Sequence, residues 1–221
     1  MGAGLRGRPP RGAVAEGAAE SSPGRIGGLS GAVLIGGASS RMGRDKAAVE
    51  LGGTPLATRL ARLLDSLCEE VLLVGGAAPP GTPGRAVADP EGPRCALRGL
   101  VAALGAARGE RVLVVATDLP LVTAALLRGL AAPSGADAVV PRPGPKPQPL
   151  CAVYRRAAVL ALARERLAAG PLALQGLLAA LRVEWVEGER LRALDPGGSA
   201  LVNVNTPEDL ARAEALLAAG S

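Results

Sequence analysis

Ala32-Val33-Leu34-Ile35-Gly36-Gly37-Ala38-Ser39-Ser40-Arg41-Met42-Gly43-Arg44-Asp45-Lys46 joins four consecutive apolar residues to a glycine-rich loop that closes on a lysine. A strand with one wet face alternates apolar and polar residues, so a run that is apolar throughout implies burial on both faces. The pattern recurs along the chain. Short β-type runs at 71–74, 112–115, 138–140, 151–154 and 183–186 alternate with helix-type stretches at 56–67, 97–107, 124–131, 157–168 and 207–219. This alternation predicts an α/β domain of three layers, with a mostly parallel sheet between helices. Ligands in that architecture bind beyond the carboxyl ends of the strands, so the segments that follow strands carry the functional information.

Working outward, residues 1–28 are rich in Gly, Arg, Pro, Ala and Ser without a period and read as a disordered tail; residues 29–221 read as a single domain, with order expected from Gly31. At 221 residues the chain can bury a sizeable core. No apolar run approaches the roughly 20 residues of a membrane span. The first thirty residues hold Arg6, Arg8, Arg11 and Arg25 but no continuous apolar stretch, so neither a secretory signal nor a membrane partner is expected. Cys68, Cys95 and Cys151 match neither a disulfide framework nor a zinc pattern, and suit small hydrophobes in a reducing, cytoplasmic setting.

The complete absence of histidine excludes a His-based triad and a His-ligated metal, leaving a hard cation on oxygen ligands, such as magnesium. A net charge of +5 from interspersed arginines, with only Tyr154 and Trp185 to stack on bases, argues against nucleic acid as a partner. The chain uses Arg almost everywhere that Lys would serve. Its two lysines (Lys46, Lys146) and two asparagines (Asn203, Asn205) therefore stand out as functional candidates.

The loop at 34–46 suits a triphosphate. Gly36 and Gly37 let backbone N–H groups converge on phosphate oxygens, Arg41 offers a forked donor and Lys46 a point charge. The alternative is a plain Gly-Gly turn followed by a solvated basic segment. The spacing matches neither the P-loop nor the dinucleotide fingerprint. Downstream, Asp118 follows the apolar run 112–115 in Ala116-Thr117-Asp118-Leu119-Pro120. A carboxylate at the end of a central strand faces the ligand crevice and can hold magnesium against phosphates. Thr123 is already available to cap the next helix, which weakens the reading of Asp118 as a mere turn former. In Asn203-Val204-Asn205-Thr206-Pro207-Glu208-Asp209, the last four residues make a helix start, with Thr206 as N-cap and Asp209 at the third position. The asparagines, two apart in extended backbone, share one face and are candidates for the metal shell or an acceptor.

The segment from Leu34 to Ala47 resembles the signature of the molybdenum cofactor guanylyltransferases, whose fold is Rossmann-like and of the nucleotide-diphospho-sugar transferase type. The Gly36-Gly37 pair and the Asp45-Lys46-Ala47 ending favour the guanylyl branch over cytidylyl relatives, which usually carry Ala-Gly. The resemblance spans about residues 31–219. It implies transfer of GMP from GTP to molybdenum-loaded molybdopterin, with Mg2+ on Asp118 and with Leu34, Ile35, Gly36, Gly37, Lys46, Asp89 and Asp118 on the nucleotide. It further implies that Arg41 and Lys46 act on the leaving pyrophosphate, that Gln148 opens a substrate-side strand, and that Asn203 and Asn205 line the same site. Molybdopterin-carrier and molybdoenzyme chaperone proteins follow as partners. At Gly75-Gly76 the chain lacks an asparagine that touches guanine in some relatives, and Asp89 on its own reads as an Asp-Pro turn. The alternatives are a cytidylyl- or sugar-phosphate nucleotidyltransferase of the same fold and a non-catalytic cofactor-delivery adaptor.

Overall fold

The computed structural model describes Met1 and residues 24–35, 48–89, 95–170 and 174–219. In chain order the elements are β1 (Leu29–Leu34), β2 (Glu50–Leu51), β3 (Thr54–Pro55), α1 (Leu56–Asp65), β4 (Glu70–Val74), β5 (Arg85–Val87), α2 (Ala96–Ala106) and β6 (Arg111–Ala116). They continue with α3 (Ala124–Leu130), β7 (Ala138–Pro141), β8 (Cys151–Arg155), α4 (Arg156–Ala168), α5 (Leu174–Leu178), β9 (Val183–Val186), α6 (Gly188–Leu194) and α7 (Pro207–Ala219). Among the described residues one sheet has the order β5-β4-β1-β6-β8-β7-β9, and β2 pairs with β3 in a separate hairpin. β4, β1 and β6 run parallel, while β8 is antiparallel to both β6 and β7.

Why the apolar runs of the central strands are unbroken by alternation is now visible. Leu29 and Val33 point into a core shared with Leu60 and Leu64 of α1, Leu126 and Leu127 of α3 and Leu191 of α6. Their neighbours Ala32 and Leu34 point the other way, into a core with Leu97 and Leu100 of α2, Val159 of α4 and Leu177 of α5. Successive side chains of a strand alternate faces, so a sheet covered on both sides needs apolar residues at odd and even positions alike. Each fully buried leucine contributes about 1.5–3 kcal/mol of transfer free energy. The three-layer, mostly parallel domain expected from the sequence is thus the one observed.

The helix starts follow local chemistry. Thr123 Oγ1 accepts the N–H of Leu126 at 3.2 Å and starts α3. Thr206 Oγ1 accepts the N–H of Asp209 at 3.1 Å, and Asp209 Oδ2 accepts the N–H groups of Thr206 and Asn205 at 3.0 Å each. This reciprocal box starts α7 as its residues suggest.

Several elements escape the periodicity. β5, the β2–β3 hairpin, α5 and α6 are too short, or too mixed in polarity, to register as periodic runs. β5 pairs parallel to β4 at the sheet edge through Leu72↔Arg85 and Val74↔Val87. Hydrogen-bonded structure also reaches back before the expected start at Gly31. β1 begins at Leu29, Ile26 N–H donates to Leu67 O at 2.8 Å, and Arg25 pairs with Asp65 at 3.0 Å. Ile26 explains this, because it packs against the α1 side of the core. Residues 2–23 lie outside the described residues.

Candidate nucleotide and metal site

β1 is the point where the strand order reverses: the chain moves to β4 and β5 on one side of it and then to β6 on the other. Such a switch point leaves a crevice at the carboxyl ends of the two strands. Leu34 and Ala116 face each other there in register, and Thr117 N–H donates to Leu34 O at 3.2 Å. Asp118 follows at once, so its carboxylate belongs to the turn at the mouth of this crevice.

The Asp118 turn is tightly held. Leu119, Leu121 and Val122 are buried, and the carbonyl of Asp118 accepts the N–H of Val204 at 2.8 Å. Its charge is felt by the neighbouring strand. Ala116 N–H donates to Leu150 O, and the Cys151 thiol is pushed up to about 12, mainly by burial and further by the Asp118 carboxylate. Cys151 is therefore a neutral core residue. Cys68 is pushed up to about 12 in the same way, by burial.

Val204 brings in the third segment. It is fully buried, while Asn203 and Asn205 on either side are exposed, as alternation in extended backbone dictates. Gln148, at the start of the β8 approach, donates from Nε2 to Asn203 Oδ1 at 3.4 Å. Asp209 holds the N–H of Asn205, a role that its place in the helix start does not by itself reveal.

Val204, Leu51, Leu56, Leu121 and Ala213 form a small separate core, with Val49, Leu210 and Leu217 against it. Leu121 follows Asp118 by three residues, and Val49 and Leu51 follow Lys46 by three and five. This cluster ties the outlet of the glycine-rich segment, the Asp118 turn and the two asparagines into one body. The inlet of that segment is Ile35, whose N–H donates to Val74 O at 2.8 Å. Both ends of the segment are thus anchored beside Asp118. Gly36, Gly37, Arg41 and Lys46 themselves lie outside the described residues. Leu34 and Ile35 are buried, and with the N–H of Ile35 already engaged they shape the floor of the crevice.

Asp89 comes to the same edge by way of β5. A Cβ on Gly75 would stand 2.7 Å from Asp89 Oδ2, and one on Gly99 of α2 would stand 3.9 Å from Asp89 Oδ1. Gly75 also has φ +86°, a conformation that other L-residues adopt at a cost. Gly76 is equally crowded, since a Cβ there would meet Ile35 Cγ2 at 2.6 Å. The Gly75-Gly76 pair therefore makes room for Asp89 and Ile35. Asp89 Oδ1 is buried and has no hydrogen-bond partner among the described residues. A buried acceptor without a donor is costly, and a ligand N–H is the kind of group that would satisfy it.

The match to the MobA-like NTP transferase domain covers residues 31–182. The chain belongs to the MobA-like NTP transferase family. It is 40% identical over 200 residues to a probable molybdenum cofactor guanylyltransferase of Chloroflexus aggregans, covering 86% of this chain and 95% of that one. With the molybdenum cofactor guanylyltransferase of Desulfosudis oleivorans it shares 32% identity over 197 residues, covering 87% and 97% of the two chains. Among solved structures, molybdopterin-guanine dinucleotide biosynthesis protein A of Archaeoglobus fulgidus superposes with a TM-score of 0.73 at 26% identity, over 86% of this chain and 99% of that one. Asp118, Asp89, Asn203 and Asn205, singled out in the sequence, lie in the segments described above, and Asp209 adds a hold on Asn205 that the sequence did not reveal. Val204 was not singled out from the sequence, because its burial depends on partners distant along the chain. No helix among the described residues is long and apolar enough to cross a membrane.

Proposed function

We propose that this protein transfers GMP from GTP to the terminal phosphate of molybdenum-loaded molybdopterin, releasing pyrophosphate. The observation that carries the reading is the convergence of Asp118, the Asn203–Asn205 pair and both anchors of the glycine-rich segment on one crevice. A phosphate oxygen of the acceptor attacks the α-phosphorus of GTP in line, and the bond from that phosphorus to the bridging oxygen of the β-phosphate breaks. The acceptor is already ionised, so no general base is needed, in keeping with a chain that has no histidine.

Asp118 fits a magnesium ion. Among the described residues no group of three or more His, Cys, Asp or Glu could cage a metal. Magnesium typically keeps several waters and takes one or two carboxylates plus substrate phosphates, so a carboxylate at the mouth of the crevice suits it. When bound, the ion supplies charge neutralisation on the phosphates. Arg41, Lys46 and the N–H groups of Gly36 and Gly37 stabilise the departing pyrophosphate, and Asn203 and Asn205 orient the acceptor or complete the metal shell. Asp89 at the same edge meets the nucleotide, and a carboxylate matches the N–H edge of guanine better than the acceptor-rich edge of cytosine. On this reading the enzyme works in the cytoplasm with molybdopterin-carrier and chaperone proteins as partners.

The test mixes purified protein with radiolabelled GTP, Mg2+ and carrier-bound molybdenum-molybdopterin. Labelled guanine dinucleotide and pyrophosphate are expected. GTP binding without pyrophosphate release would leave an adaptor instead, and equal competition by CTP would move the chain to another branch of the fold.

A further inference from the structure

The Asp118 turn is fastened from three directions. Thr117 N–H donates to Leu34 O at 3.2 Å and Val204 N–H donates to Asp118 O at 2.8 Å. The third tie is a side chain: Arg59, in the first turn of α1, donates from Nε to Pro120 O at 3.1 Å. A groove of about 520 Å3 lies there, lined by Arg59, Leu60, Pro120, Leu121 and Val122 among others. Leu121 and Val122 are seated in the core, and at the groove the hydrogen bond from Arg59 adds a polar tie to the Pro120 carbonyl.

Arg59 is also well placed by its helix. α1 begins at Leu56, whose N–H donates to Val49 O, three residues after Lys46. The helix is therefore a rigid arm between the outlet of the glycine-rich segment and the Asp118 turn. We propose that Arg59 is a positioning residue: its Nε–H bond to Pro120 O holds the turn that carries Asp118 against α1 and so keeps the carboxylate in place to bind a metal. The proposal rests on the reading of Asp118 as a metal ligand. Arg59 itself touches neither substrate nor metal.

Two substitutions separate the bond from the charge. Arg59→Gln keeps a nitrogen donor at the position of Nε and removes the guanidinium, whereas Arg59→Met keeps the stem and puts a methyl group there. For each variant and the wild type, Mn2+ affinity is measured by electron paramagnetic resonance with GTP present and no acceptor, alongside kcat, KM for GTP and the melting temperature. Arg59→Met is expected to weaken Mn2+ binding and lower kcat by about tenfold each, with Arg59→Gln within roughly twofold of wild type. Should Arg59→Met not fold, Arg59→Ala takes its place in the same comparison. Equal losses in the Gln and Met variants, or no loss in either, overturn the proposal. A wild-type protein that binds no Mn2+ with GTP present would sink the reading of Asp118 as well, so the two failures are told apart.

Discussion

The N–H of Val204 donates to the carbonyl of Asp118 at 2.8 Å, and this bond ties the Asp118 turn to the asparagine segment. Val204 is fully buried while Asn203 and Asn205 flank it in the open. The side chain is therefore the anchor and the two amides are what the anchor displays. The site is held from beneath by packing and reaches the ligand only through polar groups at its rim.

Loss of the carboxylate at Asp118 should abolish function without unfolding the chain. Asp118→Asn keeps the volume and the turn, and its rate of dinucleotide formation should fall by at least about a hundredfold. Lys46→Ala is expected to act in the same direction through the pyrophosphate. Melting curves near wild type, beside single-turnover assays, check both; normal turnover by Asp118→Asn would mean the site has been misplaced.

Val204→Ala should cost about 1–3 kcal/mol of stability, because it opens a cavity in a small cluster with few other contributors. The same change loosens Asn203 and Asn205. Acceptor KM should therefore rise more than GTP KM, a split that general destabilisation would not produce. Denaturant titration and steady-state kinetics measure the two effects.

Gly75→Ala should weaken nucleotide binding by displacing Asp89, whose Oδ2 lies 2.7 Å from the new methyl position. The positive φ adds strain of about 1–2 kcal/mol whatever the neighbour does. Combining Gly75→Ala with Asp89→Ala removes the collision but not the strain. The double variant should consequently bind GTP no worse than Asp89→Ala alone. Strictly additive losses by calorimetry would show that the two residues are not coupled.

Asp209 links stability to pH. Three hydrogen bonds, led by that from the N–H of Asn205, and the nearby Arg212 hold its carboxyl below the ordinary 3.8 of an aspartate. A depressed folded-state pKa contributes stability above the unfolded value, and that contribution is lost as pH falls through the folded value. Asp209→Asn should therefore melt below wild type at neutral pH, and the gap should close as the pH is lowered past 3.8. A gap independent of pH would contradict the assignment.

The thiols offer a simple control on burial. With Cys68 and Cys151 pushed up to about 12, roughly one molecule in ten thousand carries either thiolate at pH 8. An alkylating reagent should then modify only the half-buried Cys95 in the native protein, and all three cysteines in denaturant.

The layers and the principal helices were legible from residues alone, and so was Asp118 behind the apolar run that became β6. Apolar residues at odd and even positions demand cover on both faces, and the caps at Thr123 and Thr206 act within four residues of themselves. Such signals are complete within a short stretch of chain. β5 was not legible, because three residues of mixed polarity acquire strand character only from the neighbour that pairs with them. The position of Asp89 depends on β5 and could not be read before it. Only the tertiary structure decided that Leu51, Leu121 and Val204 meet, and that Gly75 yields its space to Asp89. The physical reason is that local propensity acts between neighbours in sequence. Which strand lies beside which is settled by the whole sheet at once, and the strand order sets the spacing of the groups that face the ligand.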